Sequence, residues 1–133
     1  QIGKAVTLKD GNDITLIGTG SILKDVLDVV DQLEKDGINA RVIDMHTIKP
    51  IDKDAIIKAV DETGKIVTVE DHNIIGGLGS AVAEVIAEYG RAVRFKRMGL
   101  SGFSRGYGTY AEVKEQNGIG IKKICDTIWS LFD

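Results

Sequence analysis

The hydrophobic positions of this chain fall into short runs separated by longer segments of helical spacing. The runs at 13–18, 38–44, 65–70 and 92–98 have the length and apolar content of strands. Between and after these runs, apolar side chains recur every three or four residues, which predicts amphipathic helices. Their apolar positions are Leu23, Val26, Leu27, Val30 and Leu33; Ile56, Ile57 and Val60; Val82, Val85, Ile86 and Tyr89; and Ile121, Ile124, Cys125, Ile128 and Leu131. Strands that alternate with helices favour a mostly parallel sheet joined by right-handed crossovers.

The ends of the helices carry recognisable signals. Asp52 follows the single proline, Pro50, and is placed to cap the second helix. Thr109 and Glu112 match a capping box, which predicts a short helix before the last one. Glycines are placed to end the first three helices, at Gly37, Gly64 and Gly90.

The N-terminal segment predicts a β-hairpin. A weakly alternating run, 5–9, is followed by the turn residues 10–12 and then by the apolar run 13–18. We expect the first strand to be an antiparallel edge strand. No linker, repeat or low-complexity tract divides the chain, so the sequence predicts one domain, residues 1–133, folded as a three-layer α/β/α sandwich.

Composition narrows the classes of function. A net charge of −3 and an isoelectric point near 5.4 give no electrostatic basis for binding nucleic acid or an anionic membrane. The apolar runs are far shorter than a membrane span, and no secretory signal precedes the first strand, so we expect a soluble cytoplasmic protein. The single cysteine, Cys125, cannot form an internal disulfide and is expected to be a buried structural thiol. A chain headed by Gln1 rather than Met suggests a piece of a longer polypeptide.

Candidate chemistry concentrates in the segment 70–80. Parallel sheets bind ligands beyond the carboxyl ends of their strands, and here Glu70, Asp71 and His72 precede a glycine-rich turn into a helix. Exposed amides at a helix N-terminus can hold an anion. The anion-binding candidates are therefore His72, Gly76, Gly77, Gly79 and Ser80. The alternative is structural: the glycines allow the helix to pack closely on the sheet, and Asp71 or His72 caps it.

Other polar groups at strand ends are weaker candidates. The turn 18–21 offers small residues and free amides, although most such turns only cap a helix. His46 is expected to face His72 across adjacent strand ends, but two histidines on separate loops do not make a metal site. A basic face for an anion or a partner subunit could be formed by Arg94, Lys96, Arg97 and Arg105, unless these are ordinary solvated charges.

Three ordered motifs resemble the C-terminal domain of transketolase and its relatives. They are the segments 13–21 (DITLIGTGS), 42–52 (VIDMHTIKPID) and 70–82, in which EDH precedes GGLGSAV. The resemblance covers essentially the whole chain and implies a five-stranded sheet with one antiparallel edge strand. It is greatest to the split transketolases. The segment 103–108 (FSRGYG) departs from the Phe-Gly-Glu-Ser-Gly-like loop common in such proteins, which leaves the substrate specificity open.

The resemblance implies a supporting rather than a catalytic role. In this family, thiamine diphosphate and Mg²⁺ are bound by two other domains, so no cofactor and no catalytic residue are expected in this one. The complete enzyme would transfer a two-carbon ketol unit from a ketose phosphate to an aldose phosphate, as in pentose phosphate metabolism. Expected partners are the remaining transketolase domains or an N-terminal subunit, a second copy in a homodimer, and sugar phosphates at the rim of the substrate channel.

Two alternative functions remain open at this point. Within the same superfamily, the chain could be the equivalent domain of 1-deoxyxylulose-5-phosphate synthase or of a 2-oxoacid dehydrogenase beta subunit. In a different class, it could be a free-standing module that binds an anion or a partner protein.

Overall fold

The five strands of the computed structural model, which describes residues 1–133, form one mixed sheet. They are β1 (Val6–Lys9), β2 (Ile14–Gly18), β3 (Ala40–Asp44), β4 (Lys65–Asn73) and β5 (Arg94–Leu100). Their order across the sheet is β1-β3-β2-β4-β5. Strands β2 to β5 are parallel, and β1 is antiparallel to β3 at the edge. The prediction of a mostly parallel sheet with one antiparallel edge strand is confirmed.

Five α-helices connect and follow the strands. They are α1 (Leu23–Lys35), which continues a short 3₁₀ turn, α2 (Lys53–Thr63), α3 (Leu78–Tyr89), α4 (Tyr110–Gln116) and α5 (Ile121–Ser130). Helices α1 and α5 pack on one face of the sheet, and α2 and α3 pack on the other, which confirms the three-layer sandwich. No helix is long and apolar enough to span a bilayer.

Alternate residues of β4 show how the sheet builds two separate cores. Val67 and Val69 face α1 and α5, whereas Ile66 faces α2 and α3. This division follows from the two-residue period of a strand, which sends successive side chains to opposite faces. A strand covered on both sides is buried along its whole length and mostly apolar, as the run Ile14–Gly18 also shows. Cys125 is only half-buried, at the margin of the α1/α5 core.

The predicted N-terminal hairpin is wrong. Strand β1 pairs with β3, where Val6 lies opposite Asp44, and it does not pair with β2. Both sides of β2 are taken by the parallel strands β3 and β4. The mostly exposed β1 therefore occupies an edge position, and the intervening turn is held across the start of β3 by Asp10, which accepts a hydrogen bond from Arg41 at 2.9 Å.

The predicted helix ends are confirmed. Thr109 and Glu112 form a reciprocal capping box at the start of α4. The hydrogen bonds from the Thr109 amide and hydroxyl lower the pKa of Glu112 below its ordinary value. Gly64 and Gly90 follow α2 and α3 with φ of 62° and 73°, a left-handed conformation that glycine adopts without steric cost.

Asp52 joins the start of α2 to the N-terminal segment. Its carboxylate oxygens accept hydrogen bonds from the Ala55 and Ala5 amides at 3.2 and 2.9 Å. Burial raises the pKa of Asp52, but these two bonds and the Lys4 ammonium, 3.7 Å from Oδ1, lower it by more. The net pKa therefore lies below the ordinary value of an aspartate.

Replacing Asp52 by asparagine should lower the free energy of unfolding and make it less dependent on pH in the acid range. The pKa of Asp52 is lower in the folded than in the unfolded protein. The stabilisation that its carboxylate provides is therefore fully present above the unfolded pKa of about 3.9, and it is lost as the pH falls through the folded pKa. We expect Asp52→Asn to lose about 1 to 2 kcal/mol at neutral pH and to show a flatter decline between about pH 5 and about pH 3. Urea unfolding across this range measures both effects, with exposed Asp28→Asn as the control. An unchanged decline would contradict the assignment.

Candidate functional site

The loops that follow the parallel strands meet at one end of the sheet, which we call the carboxyl end. It is defined by the last residues of the four parallel strands, Gly18, Asp44, Asn73 and Leu100. Strand β4 continues three residues past its predicted end, so Asp71 and His72 belong to a strand rather than to a loop. The extension is stabilised by pairing of Asn73 with Leu100 of β5.

Glu70 caps helix α3 from inside the protein. It is 1% exposed, and its two carboxylate oxygens accept hydrogen bonds from the Leu78 and Gly79 amides at 2.8 and 2.7 Å. These are amides that an external anion would use at this helix N-terminus. The sequence pattern suggests Asp71 or His72 as the cap. The structure assigns that role to Glu70 instead, because its side chain points into the fold.

The rest of the turn is hydrogen-bonded within itself. The Gly76 amide donates to Ser80 Oγ at 3.0 Å, and the Ser80 hydroxyl donates to the Ile74 carbonyl at 2.9 Å. The Ile75 amide donates to Asn73 Oδ1 at 2.8 Å. Among the predicted anion-binding residues, the amides of Gly76 and Gly79 and the hydroxyl of Ser80 therefore have partners within the chain.

Two glycines of the turn are required by close approach. A Cβ atom at Gly77 would overlap Glu70 Oε1 and lie 2.7 Å from the Asn73 carbonyl oxygen. A Cβ atom at Gly79 would lie 2.8 Å from Thr68 Oγ1. The structural interpretation of this turn, in which glycines let the helix approach the sheet, therefore describes the packing that is observed.

The two histidines lie apart. His72 has a side chain 68% exposed, with Nδ1 2.9 Å from the Asn73 carbonyl oxygen and 3.8 Å from Glu70 Oε1. His46 is exposed after β3 and is hydrogen-bonded to Thr47 Oγ1 at 3.0 Å. The expectation that they face each other across adjacent strands is wrong, because β2 lies between β3 and β4. No group of three or more His, Cys, Asp or Glu side chains is arranged to hold a metal ion.

The predicted basic residues do not form one face. Arg94 donates hydrogen bonds to the carbonyls of Leu131 and Asp133, beyond the end of α5. Arg97 Nη1 instead donates to the Ile74 carbonyl at 3.0 Å and to Ser80 Oγ at 3.1 Å, so it helps to hold the glycine-rich turn. Alternation along β5 separates these side chains, and Arg105 lies in the loop beyond the strand.

A tyrosine network that the sequence did not suggest crosses the carboxyl end. The Tyr110 hydroxyl bonds to the Asp71 carboxylate and lies 3.0 Å from the Ser21 hydroxyl. Partial burial and the Asp71 carboxylate raise the pKa of Tyr110 above its ordinary value, so the phenol stays protonated at neutral pH. The Lys114 ammonium lies 4.3 Å from the Tyr110 ring centroid, and it also pairs with half-buried Asp25. The turn 18–21 thereby anchors α4.

The N-terminus of α3 does not fit a bound diphosphate group. A diphosphate at the N-terminus of α3 would meet the Glu70 carboxylate, which already accepts hydrogen bonds from the Leu78 and Gly79 amides. The geometry of this turn holds α3 in position on the sheet.

Comparison with known proteins gives the relationships of the chain. The family of the transketolase C-terminal domain matches residues 3–124. The chain is 40% identical over 126 residues to a subunit of apulose-4-phosphate transketolase from Phocaeicola vulgatus, covering 95% of this chain and 40% of that subunit. It is 33% identical over 132 residues to 1-deoxy-D-xylulose-5-phosphate synthase of Heliobacterium modesticaldum, covering 99% of this chain and 20% of that enzyme.

A solved structure agrees with these relationships. A split gene transketolase, in an inactive beta4 tetramer, superposes with a TM-score of 0.91 at 34% identity, covering 98% of this chain and 43% of that chain. The chain thus spans less than half the length of the relatives it matches. The family match extends over nearly all the elements described above, including the three motifs that carried the resemblance. The chain belongs to the transketolase C-terminal domain family.

Proposed function

We propose that this chain is the non-catalytic C-terminal domain of a thiamine diphosphate-dependent transketolase and that it serves subunit assembly. The observation that carries the proposal is the Glu70 carboxylate on the Leu78 and Gly79 amides. At the anion-binding site suggested by segment 70–80, the helix amides are thus occupied by a carboxylate of the chain itself. The similarity to an apulose-4-phosphate transketolase subunit and to a split gene transketolase, each matched over less than half of its length, supports the same role.

The cofactor chemistry belongs to other domains in this proposal. When bound there, thiamine diphosphate with Mg²⁺ supplies the carbon nucleophile that moves a two-carbon unit between sugar phosphates. The residues of this chain hold α3 on the sheet and tie α4 to the carboxyl end, which gives the partner domains or subunits a fixed surface. A homodimer and a cytoplasmic location are part of the same proposal.

A contact with sugar phosphates at the substrate-channel rim would involve His72. Its imidazole is exposed and lies beside the Asn73 carbonyl, whereas the amides of Gly76 and Gly79 are bonded to Ser80 and Glu70. NMR titration of the chain with inorganic phosphate and with ribose 5-phosphate tests this contact. We expect shifts confined to His72 and to the amide of Gly77, with the Gly76 and Gly79 amides, which are bonded to Ser80 and Glu70, unchanged. Absence of any shift would remove the rim contact and leave the assembly role intact.

The absence of a cofactor site in this domain can be tested directly. We expect calorimetric titration of the purified chain with thiamine diphosphate and Mg²⁺ to show no saturable heat and no rise in melting temperature, since ligand binding to the folded state would stabilise it. Saturable binding would overturn the non-catalytic assignment, and the Gly76–Ser80 turn would be the first place to map it.

A second candidate is the equivalent domain of 1-deoxyxylulose-5-phosphate synthase, which the 33% identity over 132 residues favours. The complete enzyme that contains this chain distinguishes the two. Transfer of a two-carbon unit from a ketose phosphate to an aldose phosphate supports the transketolase, whereas decarboxylation of pyruvate in the presence of an aldose phosphate supports the synthase.

A further inference from the structure

Exposed apolar side chains are concentrated at the carboxyl end of the sheet. The four most exposed of all lie there: Phe103 at 100%, Tyr107 at 94%, Ile2 at 82% and Ile75 at 78%. Ile48 and Tyr110 lie at the same end and are also more than a third exposed. Large exposed apolar side chains at one end of a fold mark a surface that another protein can cover.

The loop that carries the two bare aromatic rings is anchored. The Asn117 side chain bonds to both backbone groups of Arg105, accepting from its amide at 2.9 Å and donating to its carbonyl at 2.8 Å. The capping box at Thr109 fixes the end of the loop. Phe103 and Tyr107 therefore flank a backbone position, Arg105, that is held by hydrogen bonds. The loop needs to lose little conformational freedom when these two rings bind a partner.

The start of the chain emerges at this same end. Because β1 is antiparallel to β3, with Val6 opposite Asp44, residues 1–5 lie at the carboxyl end. A Cβ atom at Gly3 would lie 3.2 Å from Pro50 Cγ, which places the first residues beside the loop after β3. From β1 to β5 there are four interstrand spacings of about 4.8 Å, or about 19 Å, less than the diameter of an ordinary domain. A domain attached ahead of β1 can therefore reach the loop after β5.

We propose that the carboxyl end docks onto the domain that precedes this one in the transketolase subunits. Phe103 and Tyr107 would enter an apolar recess whose rim carries carboxylates for Arg105. This inference rests on the proposed function and identifies the surface that serves it. The relatives support this choice of partner. The chain covers only 40% of the matched apulose-4-phosphate transketolase subunit, and its family is that of a C-terminal domain, so the rest of that subunit includes a preceding domain.

Charge favours this occupant over a second copy of the chain. The Arg105 guanidinium has no ion pair within the chain, whereas Arg41 and Arg91 each pair with a carboxylate. In a two-fold dimer built on this loop, the same patch of each copy would face the other, and the two Arg105 side chains would approach each other. Aromatic side chains and arginine are the residues that contribute most to binding at the centre of interfaces.

Hydroxyl-radical footprinting of the complete enzyme, as its natural genes encode it, tests the proposal. Phe103 and Tyr107 should be modified about tenfold more slowly in the complete enzyme than in the 133-residue chain, because residues at the centre of an interface are shielded from solvent. Trp129, which is 41% exposed near the end of α5, where Arg94 at the start of β5 bonds to the Leu131 carbonyl, is the internal reference and should react equally in both samples.

Substitution provides the second readout. Phe103→Ser with Tyr107→Ser should lower the melting temperature of the complete enzyme by several degrees and leave the 133-residue chain almost unchanged, since both rings are bare there. Trp129→Ser is the matched control and should lower both melting temperatures alike.

The outcomes separate this inference from the proposed function. Equal reactivity of Phe103 and Tyr107 in both samples overturns the docking surface, even if the enzyme transfers two-carbon units. Protection of both rings in an enzyme without transketolase activity retains the surface and overturns the function. Protection that is already present in the 133-residue chain at high concentration, together with a dimer mass, assigns the surface to a second copy and overturns the proposed occupant.

Discussion

Replacing Glu70 by alanine should lower the free energy of unfolding by about 4 kcal/mol, a large fraction of the stability of an ordinary domain. The substitution removes the acceptor of two buried amides, those of Leu78 and Gly79, and leaves both without a partner. Each hydrogen bond to a charged group contributes about 1.5 to 3 kcal/mol, and an unsatisfied buried amide is costly in addition. The favourable carboxylate at the N-terminus of α3 is lost as well.

Denaturant unfolding of three variants measures this effect and identifies its cause. Glu70→Gln keeps the shape and one acceptor, so we expect its stability to lie between those of the wild type and Glu70→Ala. Glu84→Ala lies on the exposed side of the same helix and should change the free energy of unfolding by less than about 0.5 kcal/mol. A Glu70→Ala protein as stable as the Glu84→Ala protein would show that the cap does not hold α3 in place.

Gly77→Ala is expected to destabilise the protein by about 3 kcal/mol, through crowding alone. The φ of Gly77 is −92°, which any residue adopts, but the added methyl group would overlap Glu70 Oε1 and approach the Asn73 carbonyl. Gly76 is the matched comparison. Its φ is +76°, and a Cβ atom there meets open space, so Gly76→Ala should lose only about 1 to 2 kcal/mol from backbone strain.

The combination of Gly77→Ala with Glu70→Ala distinguishes crowding from other effects. Without the Glu70 carboxylate the added methyl group has room, so the two losses should fall short of additivity by about 1 kcal/mol or more, within the range of about 0.5 to 3 kcal/mol seen between residues in contact. Losses that simply add would mean that Gly77→Ala acts through the Asn73 carbonyl or the unfolded state. Chemical denaturation of the four proteins completes the cycle.

Most of the architecture could be predicted because it follows from local periodicity. The buried runs around Ile14 and Ile66 and the caps at Asp52 and Thr109 each depend on residues a few positions apart. The partner of β1 could not be predicted in this way. A turn at 10–12 is equally compatible with a hairpin and with a chain that crosses the end of a third strand, and only the burial of β2 between two parallel neighbours decides between them.

The structure of the candidate segment 70–80 could be predicted only in part from the sequence. The glycines and the turn into α3 were apparent, and so was the alternative that they serve packing. The role of Glu70 was missed because a cap is usually sought in the residue just before a helix, whereas this one reaches the helix from a strand eight residues earlier. The link between Tyr110 and Ser21, 89 residues apart, left no pattern in the sequence.

The Glu70 cap means that α3 carries a built-in ligand. If the N-terminus of a helix were capped by a phosphate from solution, the stability of the helix would depend on the concentration of that phosphate. A carboxylate joined to the same chain is present at a constant and high effective concentration. The stability of this part of the fold is therefore independent of the concentration of phosphate compounds in solution.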